Sequence, residues 1–133
     1  MNWLAIIIAV IANMVIGTLW YGTRAFGKSW MTLSGHSMGE GMSVGPLYAM
    51  TALAALVQAI TMSWFIGQTG ANSGAAGALI GLYVGLGFIA SAMFAEVLFA
   101  GRHPRLYAIT AGYSVVAAIV QGAIIGFMGL SAS

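Results

Sequence analysis

The chain is predicted to be an all-α polytopic membrane protein, a bundle of four transmembrane helices with short loops. Three observations carry that prediction: composition, the length of the apolar runs, and the segregation of basic residues. Of its 133 residues, 61% are hydrophobic and only 5% are charged. A soluble domain of this length carries about 25% charged residues to cover its surface. Four basic and two acidic side chains cannot solvate such a globule, so the solvent must be mostly lipid. The formal charge of +2 rests on those few residues and is no argument for nucleic acid. With no cysteine, disulfides, thiolate metal sites and cysteine nucleophiles are excluded.

Four apolar runs follow one another at 2–21, 46–67, 75–100 and 104–130. Each has the ~20 residues that a helix rising ~1.5 Å per residue needs to cross ~30 Å of hydrocarbon. The alternating ten-residue segments of a membrane barrel are absent. Run 2–21 is not expected to be a cleaved signal peptide, because "MNW" has no basic start and the run is too long. The breaks are polar or helix-breaking: "TLSGHSMGEGMSVGP", "GQTGANSG" and "GRHP". Pro46 and Pro104 stand where helix starts tolerate proline. The whole of 1–133 is therefore read as a single transmembrane domain.

Charge sets the expected orientation. With four spans, loops 22–45 and 101–103 share one side. Arg24 and Lys28 are in the first, Arg102 lies in the second and Arg105 just beyond it, and no Lys or Arg falls elsewhere. Complete segregation puts those loops in the cytoplasm and both termini outside. In "GTLWYGTRAFGKSWM", Trp20, Tyr21 and Trp30 are then expected at headgroup level, with Arg24 and Lys28 reaching phosphates. Arg102 and Arg105 anchor the second cytoplasmic edge in the same way.

Small residues spaced i, i+4 predict which faces meet. The stripes are Ala5, Ala9, Asn13 and Gly17; Ala55, Ala59, Ser63 and Gly67; Gly77, Gly81 and Gly85; and Ser114, Ala118, Gly122 and Gly126. In lipid there is little hydrophobic drive between helices, and small residues let backbones approach. One stripe per helix predicts a tight bundle with no room for an aqueous pore in one copy.

Polar residues inside the spans are the candidates for chemistry, since the membrane makes them costly. Asn13, Gln58 and Gln121 fall near mid-span and are expected to bond one another or a neighbouring carbonyl. Glu96 is the one acidic residue within a span. It either pairs with Arg102 or Arg105 near the cytoplasmic surface or handles protons or cations. His36, Met38, Glu40 and Met42 are read as a solvated loop rather than a copper or zinc site, and His103 as facing headgroups. No nucleophile motif, phosphate-binding loop or His pair is present, so no enzyme, cofactor or metal is expected.

Residues 1–31, "MNWLAIIIAVIANMVIGTLWYGTRAFGKSWM", and 97–127, "VLFAGRHPRLYAITAGYSVVAAIVQGAIIGF", resemble the bacterial family known as domain of unknown function 1761. The resemblance rests on Asn2-Trp3, Gly17, Leu19-Trp20-Tyr21, Phe26-Gly27-Lys28, Trp30-Met31, Gly101-Arg102, Ala111-Gly112-Tyr113 and Gly122-Ala123-Ile124. Thr23 stands where the family usually has proline, and Ser114 where a His often follows Gly-Tyr. The resemblance implies a four-helix protein of the bacterial inner membrane and confers no activity. The expected partners are the lipid bilayer and either further copies of the chain or a larger membrane complex. An accessory or scaffold subunit acting through helix packing is the favoured role. The alternative is an oligomeric minimal transporter or channel, with Glu96, Asn13, Gln58 and Gln121 along its path.

Overall fold

The computed structural model describes residues 2–20, 32, 44–70, 73–101 and 104–129. Helix α1 spans Trp3–Trp20. Asn2 starts it, its side-chain oxygen accepting from the Ala5 backbone N–H at 3.2 Å. Helix α2 spans Val44–Thr69, two residues beyond the apolar run at each end. Pro46 still lies in its first turn, where a missing N–H costs nothing. Helix α3 spans Gly74–Ala100. Ser73 caps it through Ala76 N–H at 3.1 Å, and Gly101 stops it at φ +67°, a left-handed conformation that suits glycine. Helix α4 begins at Pro104, as the sequence predicts, and runs to Met128.

All four helices are long and apolar enough to cross a membrane, and no strand occurs among the described residues. The chain is a polytopic membrane protein built as a four-helix bundle. Large apolar side chains such as Trp3, Ile11, Leu53, Leu86 and Phe99 face outward. That pattern is untenable in water and ordinary in lipid, where α-helices satisfy their own backbone groups.

Helix α4 is the most buried of the four and packs against each of the others, most extensively against α3. The buried core joins Ala5, Ile6 and Ala9 of α1 to Ala59, Met62 and Ile66 of α2 and to Ala118 and Ile125 of α4. Alanines face isoleucines and methionine, so large side chains fill the space that small ones leave.

The small-residue stripes form the inward faces. Ala5, Ala9, Asn13, Ala55, Ala59, Ser63, Gly77, Gly81, Gly85, Ala118, Gly122 and Gly126 are all buried. Gly17 and Ser114 are half-buried, and only Gly67, near the end of α2, is exposed. The α3–α4 contact is backbone on backbone. A Cβ built on Gly77 would run into the Gly122 carbonyl, one on Gly122 into the Gly77 carbonyl, and one on Gly81 into the Ala118 carbonyl. Glycine at these positions is a condition of the contact, not a by-product of composition.

Midway along α3, Gly85–Ala90 forms a six-residue π-helical segment. Such widened turns are rare and occur mostly as single turns within α-helices. The Ala90 carbonyl at its end accepts the Tyr107 hydroxyl of α4 at 2.9 Å. Beyond it, Val97 is the one buried residue of the Ser91–Ala100 half.

Candidate functional site

Three helices each carry one amide side chain into the bundle, and their neighbours decide what those amides do. Gln121 of α4 is fully buried, with 0% of its surface exposed. Its Nε2 donates to the carbonyls of Ala9 in α1 and Ala55 in α2, at 3.4 Å each. One turn further along α1, Asn13 is 4% exposed and donates from Nδ2 to Gln58 Oε1 at 3.4 Å. Tyr113 of α4 donates its hydroxyl to Asn13 Oδ1. Asn13, Gln58 and Tyr113 thus form one bonded cluster, and Gln121 ties the same three helices, α1, α2 and α4, through backbone carbonyls.

The cluster belongs to a longer seam of polar ties between α1 and α4. Asn2 Nδ2 donates to the Met128 carbonyl at 3.3 Å at one end, and Trp20 Nε1 to the Ile109 carbonyl at 2.9 Å near the other. Between them lie the bonds of Gln121 to Ala9 and of Tyr113 to Asn13. Close packing accompanies the ties: Gly17 faces the Tyr113 hydroxyl, and Gly112 faces the Trp20 ring. The residues that carry the family resemblance at the two ends of the chain therefore meet across this seam. Each tie contributes about 1 kcal/mol in a membrane, because the unfolded helices find other partners.

Glu96 is elsewhere. It is exposed on α3, four residues before the helix ends, at the same end of the bundle as the exposed Arg105. Gly81, which packs on Ala118 beside the amides, lies fifteen residues back along α3. At 1.5 Å per residue that is about 22 Å. One copy of the chain does not bring Glu96 together with Asn13, Gln58 and Gln121.

Trp20, expected at headgroup level, directs its indole N–H into the bundle at Ile109. Tyr21, Arg24, Lys28, Trp30 and Arg102 lie outside the described residues, as do His36, Met38, Glu40, Met42 and His103. Among the described residues, no group of three or more His, Cys, Asp or Glu could hold a metal ion. Asn2 and Tyr113 entered the sequence reading only through the family resemblance, and Tyr107 not at all. The available signal for Tyr113 was its depth, since a phenol inside a span needs a hydrogen-bond partner.

The grooves on the bundle surface are apolar. One between α1 and α2 is lined by Ile7, Val10, Ile11, Ala49, Leu53 and Leu56. Another, at the α3–α4 turn, is lined by Phe94, Val97, Leu98, Gly101, Pro104 and Tyr107. Neither offers a nucleophile or a base.

The family model described as Protein of unknown function (DUF1761) matches residues 4–126 of the chain. No curated protein and no solved structure matches it.

Proposed function

The chain belongs to the family described as Protein of unknown function (DUF1761), and from its own geometry we propose that it is an accessory or scaffold subunit acting through helix packing. One observation carries this reading. The mid-span amides and Tyr113 are engaged in holding the protein's own helices together: Asn13 to Gln58, Tyr113 to Asn13, and Gln121 to α1 and α2. A solute path would leave such groups facing a hydrated passage. Here Gln121 is fully buried, Asn13 is 4% exposed, and Gln58 and Tyr113 are half-buried. The outward faces are large and apolar, and suit lipid or another helix.

The same reading places the chain in the bacterial inner membrane. The segregation of Lys and Arg puts loops 22–45 and 101–103 in the cytoplasm and both termini outside. It acts through other membrane helices, further copies of itself included, and does so without a cofactor or catalytic residues.

Reconstitution tests the role. Purified protein in proteoliposomes is expected to pass no ion or small solute faster than empty vesicles, and Glu96→Gln is expected to leave fold and assembly intact. A flux in the wild type that Glu96→Gln abolishes would establish the transport alternative instead.

A further inference from the structure

The π-helical segment changes which residues of α3 face α4. An i→i+5 turn holds one residue more than an i→i+4 turn, so it displaces every later side chain by one position, about 100° around the axis. The burial pattern records that displacement. Gly77, Gly81 and Gly85 pack on α4 at the regular spacing of four. The next buried residues, Ala90 and Val97, stand five and twelve places after Gly85. An unbroken α-helix would bring round the fourth and the eleventh instead. The eleventh is Glu96.

The widened turn therefore decides where a carboxylate goes. With it, Glu96 is exposed and Val97, 8% exposed, takes the inner place. Without it, Glu96 would turn onto α4 within the apolar span, which is costly for a charged group. Two hydroxyls hold the segment. Ser91 Oγ donates to the Gly87 carbonyl, and Tyr107 of α4 donates to the Ala90 carbonyl at 2.9 Å. The half beyond is lightly held: Val97 is its one buried residue, and Phe94 meets the Tyr107 ring edge-on. Little packing opposes its rotation.

We propose that Gly85–Ala90 is a register switch governed by the charge of Glu96. The carboxylate keeps the turn widened and itself outside; loss of the charge lets the segment close to α-helix and rotates Ser91–Ala100 by one position. The Gly77 and Gly81 contacts precede the turn, so the bundle survives the change. The inference is independent of the scaffold reading, since it needs only the bundle and its lipid.

Thiol labelling of the full-length protein in membranes tests it, the chain having no cysteine of its own. Val97 and Phe99, 8% and 96% exposed, lie in the last turn of α3, where a water-soluble methanethiosulfonate reaches. Phe99→Cys is expected to react faster than Val97→Cys with Glu96 in place or with Glu96→Asp. Glu96→Gln is expected to reverse that order, and Glu96→Leu repeats the test should the glutamine variant fail to fold. Deleting Gly87, which has nothing within 4 Å of a built Cβ, removes the extra residue and should fix the first order whatever stands at position 96. An order that a folded Glu96→Gln variant leaves unchanged would overturn the proposal. So would a reversal that survives the deletion.

Discussion

Asn13 and Gln121 are both buried amides at one junction, yet their removal has different consequences. The carbonyls that Gln121 reaches, those of Ala9 and Ala55, are inside helices and keep their backbone partners when the side chain goes. Gln121→Met therefore removes two ties and strands nothing from protein, at a cost of about 1 kcal/mol. Asn13 is the shared partner of Gln58 and Tyr113. Asn13→Leu leaves Gln58 Oε1 without its donor and the Tyr113 hydroxyl without its side-chain acceptor, and should cost about 2 kcal/mol. Reversible unfolding in mixed micelles checks the order. A Gln121 variant less stable than the Asn13 variant would mean that the seam is not organised around Asn13.

At the scale of elements, the α3–α4 contact makes the sharpest demand. Gly77 and Gly81 each face a backbone carbonyl of α4 at a separation that no side chain tolerates. Gly77→Ala or Gly81→Ala should push the helices apart and cost about 1–3 kcal/mol, as overpacking does. Gly45, in the first turn of α2, has nothing within 4 Å of a built Cβ, and Gly45→Ala should change little. Equal thermal shifts at the three positions in detergent would detach stability from the glycine contact. The stripes could be read from sequence because i, i+4 spacing is a property of the single helix. Which stripe meets which could not, since register between helices is settled by the bundle as a whole. Thus Asn13, Gln58 and Gln121 were legible as membrane-costly groups, while the Tyr113 and Ala9 partners were not. Nor was the π-helical segment at Gly85–Ala90, whose glycines also suit an ordinary close contact. Helix ends drifted by up to two residues for a similar reason: polar residues such as Gln68 and Thr69 extend α2 past its apolar run.

For the whole molecule, two ends and a closed interior are what the proposed packing role rests on. Asn2, Thr69, Gly74 and Met128 mark one end; Trp20, Val44, Ala100 and Pro104 mark the other, which carries Arg105. With all basic residues assigned to the cytoplasm, Gln68→Cys should react with an impermeant thiol reagent in intact cells and Ser37→Cys should not. Labelling confined to Ser37→Cys would invert the bundle. The interior is the decisive feature, because a packing subunit is closed where a transporter is wet. Ala59 is fully buried on α2 within the core, and the chain has no native cysteine to confuse labelling. The most direct measurement is the rate at which Ala59→Cys reacts with a small water-soluble methanethiosulfonate in native membranes. A closed bundle predicts no reaction until the protein is denatured. Rapid modification in the folded state, slowed by a solute or ion supplied in excess, would contradict the account and make the junction part of a permeation path.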